Sequence, residues 1–282
     1  MTTLHSRRAK SILTPQRGGF LASGALPFTH SFSPYTGCQF GTTACGQYCY
    51  AQFMPNWAVH AAGAPWGSEV WIKENAPEVL LDTLTALSPE KRRGLRIFMA
   101  TTTDPYQPVE AKAEITRRCL EVFSRFDDLD LLLIQTRSPL VARDFALIAS
   151  IPYAWLSITL ETDDQSVVSR LGGGPTVSVR LKMIESAAAL GIPTQVTVSP
   201  CLPHSENFAA RLAATGARRI VVDSFVEGDG SGGRRTANSP FARSAGYDWR
   251  DPSPAQSLFE QLRALHPDVS WSAEGFSGIP PR

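Results

Sequence analysis

At 282 residues, with 43% hydrophobic and 19% charged residues, the chain can fill one large α/β barrel or two modest domains. Its 27 Lys and Arg against 26 Asp and Glu leave a net charge of +1, which does not supply the strongly basic face used in tight non-specific duplex binding. No apolar run is long enough to span a bilayer. The first ten residues lack the apolar core of a secretory signal, and five cysteines with three clustered suit a reducing compartment, so a cytoplasmic location is expected.

In chain order, residues 1–27 form an N-terminal extension with no strong pattern. An apolar, β-prone run from Phe28 to Tyr35 then leads into S-P-Y-T-G-C-Q-F-G-T-T-A-C-G-Q-Y-C-Y-A-Q, which holds Cys38, Cys45 and Cys49. The pattern places this segment on a loop between a strand and a short helix. Three neighbouring thiolates can hold an iron–sulfur cluster and leave one iron without a protein ligand, because electron-transfer clusters normally take four cysteines. The competing reading of the same residues is a structural zinc site with His30 or His60 as fourth ligand, although no second C-x2-C knuckle is present.

Val70 to Lys73 is a further strand candidate before a helix over Pro77 to Leu87. From residue 90 onward, strands and helices alternate. Strands are expected at Leu95–Thr101, Leu129–Thr136, Trp155–Leu160, Thr194–Ser199 and Arg219–Phe225. Helices are expected at Val109–Phe126, Pro139–Ala149, Val177–Leu190 (stopped by Gly191-Ile192-Pro193) and Phe208–Thr215. Short strands separated by helices argue for parallel pairing through right-handed crossovers. Together with the strand before the cysteines this gives six β/α units over residues 28–226, an α/β partial TIM-type (β/α)6 barrel. Such a barrel builds its site at the C-terminal ends of its strands.

Residues 227–282 read as an irregular C-terminal extension. Glu227 to Arg235 is a Gly-rich loop without the Lys-Ser/Thr ending of a P-loop, expected to lie over the barrel mouth. An amphipathic helix over Pro254–Leu265 and a last strand at Val269–Trp271 follow. The basic doublets, among them Arg7-Arg8 and Lys91-Arg92-Arg93, read as solvated surface.

The motif Pro34-Tyr35-Thr36-Gly37-Cys38, with Tyr48-Cys49-Tyr50-Ala51-Gln52, resembles the cluster loop of the radical S-adenosylmethionine (SAM) superfamily, in its spore-photoproduct-lyase-like, or DNA-repair-photolyase-like, branch. Further matches are Ala9 to Thr14, Trp66-Gly67, Trp71 to Ala76, Thr103 to Glu110 and Thr136 to Leu140, so the resemblance covers residues 9 to 225. The ligand spacing departs from the family pattern, reading C-x6-C-x3-C where C-x3-C-x2-C is usual.

The resemblance implies a [4Fe–4S] cluster on Cys38, Cys45 and Cys49, SAM as second cofactor, a flavodoxin- or ferredoxin-type one-electron reductant, and hydrogen abstraction from an unidentified substrate. It also implies SAM contacts at Tyr48, at Thr101, Thr102, Thr103 and Asp104 after the Leu95 strand, at Arg137, and at Ser157 and Glu161. An Arg fork suits a carboxylate. The bland reading of Asp104 is a cap ahead of Pro105, and Ser157 could equally satisfy neighbouring backbone groups. Lys73, Tyr106, Gln107 and Glu110 match the family without a legible role. Cys201 follows a barrel strand and is either a hydrogen donor facing the cavity or a buried structural thiol. True spore photoproduct lyases place a hydrogen-donating cysteine in an Ala-Cys-Thr-Ser-Asp stretch. Here the matching stretch is Ala100-Thr101-Thr102-Thr103-Asp104, which argues against thymine-dimer repair by that route. Nucleic acid therefore stays open as a partner on resemblance alone. The rival classes are a non-catalytic metal-binding protein and a nucleic-acid-binding barrel.

Overall fold

A computed structural model describes residues 2–61 and 63–281; Met1, Ala62 and Arg282, two of which bound the expected outer segments, lie outside the described residues. Eleven strands are formed among the described residues: β1 (Thr3–Arg7), β2 (Leu13–Pro15), β3 (His30–Phe32), β4 (Tyr35–Thr36), β5 (Glu69–Lys73), β6 (Arg96–Met99), β7 (Leu131–Thr136), β8 (Ala154–Thr159), β9 (Thr194–Val198), β10 (Arg219–Val222) and β11 (Val269–Trp271).

Eight of them make one sheet in the order β11-β10-β9-β8-β7-β6-β3-β2. Every pairing from β3 to β11 is parallel, and β2 joins β3 antiparallel. The six expected parallel strands are therefore present, in chain order across the sheet, with β11 added at the edge. This is the partial-barrel architecture. Strands buried on both faces read as near-continuous apolar runs, and Leu131-Leu132-Leu133-Ile134 in β7 is such a run.

Alternation along the strands divides the core. Ile97, Met99, Leu132, Ile134, Ile220 and Val222 belong to the large cluster packed under the helices. Their neighbours Phe98, Leu131, Leu133 and Val221 form a second cluster with Phe28, Phe276 and Ile279. That second cluster is the concave face, and the C-terminal segment fills it. Two strand arginines hold the segment in place: Arg96 Nη2 donates to the Ile279 carbonyl at 2.7 Å, and Arg219 Nη2 to the Gly275 carbonyl at 3.1 Å. The irregular C-terminal extension is therefore partly a plug for the barrel floor.

Several expected boundaries shift. Val70–Lys73 is a strand, but it lies in a separate three-stranded sheet of order β1-β5-β4. The expected helix over Val109–Phe126 is two helices, Glu110–Ala113 and Ile115–Phe123, broken where Glu114 takes a left-handed φ of 50°. The stretch after Pro139 begins as a 3-10 turn (Pro139–Asp144) before the helix Phe145–Ser150. No helix among the described residues is long and apolar enough to cross a membrane.

Candidate active site

Following each parallel strand toward its C-terminal end, the concave face turns from apolar to polar. On β7 the inward residues run Leu131, Leu133, Gln135; on β9 and its continuation they run Gln195, Thr197, Ser199; on β10 they run Val221, Asp223. Above this rim lies a cavity of about 360 Å³, and Cys38, Cys45 and Cys49 all line it. It is also lined by Thr101, Thr102, Thr103, Asp104, Arg137 and Thr159.

The cysteine segment is locally well determined. Cys38 caps a 3-10 turn (Gln39–Thr42), Cys45 sits on the short helix Ala44–Tyr48, and the Cys49 N–H closes that helix on the Cys45 carbonyl at 2.9 Å. Gly46 between the last two ligands is obligatory, because a Cβ there would lie 1.8 Å from the Gly41 carbonyl oxygen.

Thr103, together with Gln107, Glu110 and Lys73, whose roles were not legible in the sequence, anchors this loop. Thr103 Oγ1 donates to the Gly37 carbonyl at 2.6 Å, and Gln107 accepts from the Gln39 N–H at 2.8 Å while donating to Thr103 Oγ1 at 3.0 Å. Glu110 is fully buried and accepts from the Tyr35 hydroxyl, from the Thr116 N–H at 2.9 Å and from Arg143 at 3.0 Å. Lys73 Nζ donates to the Ser33 carbonyl at 2.6 Å, just before the loop. Buried polar groups that are hydrogen-bonded in this way fix one backbone path rather than many.

The three thiols differ electrostatically. Burial pushes Cys38 up to about 12. A hydrogen bond shared by Cys45 and Cys49 holds Cys45 below the ordinary thiol value, helped by the Arg137 charge, and drives Cys49 well above it. Metal binding to thiols releases their protons. Soft thiolates facing one cavity suit an iron–sulfur cluster. Among the described residues, no three His, Cys, Asp or Glu side chains converge closely enough to hold a single metal ion. A cubane instead takes each thiolate on a different iron. The histidines weighed as a zinc ligand stand elsewhere: His30 bonds Thr29 Oγ1 at 3.0 Å, and His60 packs 5.9 Å from the Trp71 ring; neither lines the cavity.

Asp104 both lines the cavity and braces it. Its carboxylate accepts from the Tyr106 N–H at 2.8 Å, Thr136 Oγ1 at 2.7 Å and the Arg137 N–H at 2.9 Å, while burial raises its pKa. Arg137 points its guanidinium at Glu161, and Glu161 also accepts from the Tyr48 hydroxyl at 2.9 Å and from Arg180 Nη1 at 2.5 Å. Burial pushes the Glu161 carboxyl up, but Arg137 and Arg180 outweigh it and hold the group at about 2.

The expected SAM contacts therefore separate into two groups. Thr101, Thr102, Thr103, Asp104 and Arg137 line the cavity with the cysteines; Tyr48 and Glu161 instead flank a small side pocket. Ser157 lies a layer below the cavity, fully buried, accepting from Gln195 Nε2 at 3.1 Å, since it precedes the cavity-lining Thr159 by two residues on one face. The Cys201 thiol meets the Leu202 carbonyl at 3.8 Å and His204 Nδ1 at 3.7 Å, outside the cavity lining, and burial raises it to about 12. Asp223 and Gln135, which sequence reasoning passed over, do line the cavity. Their position two residues past an inward-facing apolar residue was the available signal.

The parallel strands of this partial barrel thus bring three cysteines and a band of hydroxyls, carboxylates and an arginine to one rim. The model of the Radical SAM superfamily matches residues 32–214, and the chain belongs to that superfamily. The cofactors are accordingly a [4Fe–4S] cluster and SAM. An uncharacterised protein of Methanocaldococcus jannaschii is 28% identical over 170 residues, covering 60% of this chain and 59% of its own length, so the chain spans about three fifths of that relative. Among solved structures, spore photoproduct lyase complexed with dinucleoside spore photoproduct superposes with a TM-score of 0.61 at 12% identity, over 95% of this chain and 81% of that one. A variant of the same lyase with bound AdoMet and dinucleoside spore photoproduct gives 0.60 at 13% identity with the same coverage. At such identities the likeness speaks to the fold.

Proposed function

We propose that the protein is a radical SAM enzyme in which Cys38, Cys45 and Cys49 hold the cluster, the rim of β6 to β8 holds SAM, and the reaction begins by hydrogen abstraction from a substrate C–H. The supporting observation is that all three thiols open into the same cavity as Thr101, Thr102, Thr103, Asp104 and Arg137. When bound and reduced, a cluster held by Cys38, Cys45 and Cys49 would supply the one electron needed for reductive cleavage of SAM.

The chain's own residues bind and orient. The threonine hydroxyls after β6 offer acceptors to an amino group, and Arg137 offers a cation to a carboxylate. Glu161 holds Arg137 at the rim, so that a ligand carboxylate meets a guanidinium already aligned. The apolar floor of Phe98 and Phe276 excludes water beneath the reacting atoms. A one-electron donor of the flavodoxin or ferredoxin type and a cytoplasmic setting complete the reading. Repair of a thymine dimer through a cysteine hydrogen donor is not favoured, because Thr101 stands where that cysteine would be and Cys201 lies outside the cavity lining.

The test is anaerobic reconstitution with iron and sulfide, reduction with dithionite, and assay of 5′-deoxyadenosine after SAM addition. Nucleoside formation in the wild type, lost in Cys45→Ala together with the cluster absorbance, is the expected result. An intact cluster in Cys45→Ala, or a zinc-loaded wild type that forms no cluster and no nucleoside, would overturn the assignment.

A further inference from the structure

The Gly-rich loop after β10 reaches the cavity: Gly228, Asp229, Gly230 and Arg235 line it. Among the described residues of that lining, only Arg137 and Arg235 carry a permanent positive charge. Arg137 is committed to Glu161, whereas Arg235 makes no ion pair among the described residues. Its guanidinium makes one hydrogen bond, from Nη1 to the Asp229 carbonyl at 2.7 Å. Nε and Nη2 have no partner among the described residues, yet neither is sealed from solvent. The edge formed by these two nitrogens can meet two oxygens of one carboxylate or phosphate at once.

The loop is built so that its own carboxylate does not neutralise this charge. Asp229 Oδ1 accepts from the Ser231 N–H at 2.7 Å, the Ser231 hydroxyl at 2.9 Å and the Gly233 N–H at 3.0 Å, and Oδ2 accepts from the Thr236 N–H at 3.0 Å. Asp104 and Asp223, the other carboxyls of the lining, are buried, and neither pairs with Arg235. Gly230 takes a φ of 62°, and a Cβ there would stand 3.2 Å from Arg235 Nη1, so the turn folds directly against the guanidinium. The helix Arg234–Ala237, which carries Arg235, packs against the turn Tyr50–Phe53 that follows Cys49. A fixed cation with an open fork is thus held in the cavity wall beside the cluster loop. Phe20, Met54, Trp66 and Phe276 give the same cavity apolar walls.

We infer that Arg235 forms a substrate subsite for an oxyanion, a carboxylate or a phosphate, carried on an apolar or aromatic body. A charge-assisted, two-pronged hydrogen bond supplies both the affinity and the orientation. The inference rests on the proposed radical SAM reading only in naming the ligand as substrate. Arg137 stays the cation offered to the SAM carboxylate, so the two anionic groups are taken by different arginines.

The experiment titrates the cluster-reconstituted, unreduced protein calorimetrically, without SAM and saturated with it, using benzoate, phenyl phosphate and benzamide, the last a neutral match for benzoate in size. The wild type is expected to bind one of the two anions about tenfold or more tighter than benzamide, and the preferred anion decides between carboxylate and phosphate. Arg235→Gln should lose about tenfold for that anion and leave benzamide binding unchanged. Arg235→Lys, which keeps the charge without the fork, should fall between the two. Arg234→Gln, at the exposed neighbour outside the lining, should bind as the wild type does. No preference for either anion over benzamide would overturn the inference, as would an Arg235→Gln variant with wild-type anion affinity. An equal loss in Arg234→Gln would overturn it too, by reducing the effect to diffuse surface charge. So would displacement of the anion by SAM, which would place Arg235 in the SAM site. 5′-Deoxyadenosine is assayed on the same preparations after reduction. Nucleoside formed without an anion preference refutes the subsite alone, and an anion preference without nucleoside refutes the radical SAM reading alone.

Discussion

Glu161 carries its charge at 2% exposure, with Arg137 on one carboxylate oxygen and Arg180 on the other. Removing that charge leaves two guanidinium groups facing each other in a buried setting, a change that costs about 3–5 kcal/mol when one partner of a buried pair is lost. Glu161→Gln is therefore expected to lower the urea midpoint strongly at pH 7. The pH dependence follows from the depressed carboxyl. Its folded value of about 2 lies below the unfolded one, so its stabilisation is full above the unfolded value and lost as pH falls toward 2. The gap between wild type and Glu161→Gln should narrow over that acid range; a gap unchanged from pH 7 down to pH 2.5 would rule out the ion pairs as its source. The sequence exposed Glu161 and Arg137 as polar residues at strand ends, but not that they answer each other. Their pairing depends on Arg180, which lies nineteen residues from Glu161 on the helix Val177–Ala189.

At the scale of elements, the C-terminal segment decides whether the concave face is a site or an open apolar trough. Phe276 packs edge-on against Phe20 at 5.6 Å and tilted against Phe98 at 6.1 Å, and is 7% exposed. Phe276→Ala should cost about 3–5 kcal/mol, by loss of burial and the cavity left behind. Chemical denaturation and dye binding to exposed apolar surface would read this out. A variant as stable as the wild type would mean that the plug is loosely held. The long alternating strands from β6 to β10 were legible because apolar residues recur on both faces. The second sheet was not, since β1 reads Thr-Leu-His-Ser-Arg, and its pairing with β5 spans more than sixty residues of sequence. The break at Glu114 was missed for a local reason: a non-glycine residue in left-handed backbone leaves no compositional mark.

For the whole molecule, the parallel direction of seven strands puts every chemically active loop at one end. The near-zero net charge leaves recognition to that rim rather than to a long-range field. Three cysteines could be picked out of the sequence despite their unusual spacing because the residues around them matched a known loop. Asp223 and Gln135 left only a weak mark, their place two residues past an inward-facing apolar residue, because a share in a cavity lining is decided by packing. The central claim is that three protein thiolates leave one iron free to take SAM. It is tested most directly by electron–nuclear double resonance on the reduced, 57Fe-reconstituted cluster, with SAM labelled with 15N in its amino group and 17O in its carboxylate. The account predicts resolved couplings to both labels in the wild type. A reduced cluster whose spectrum shows neither coupling at saturating SAM would contradict it.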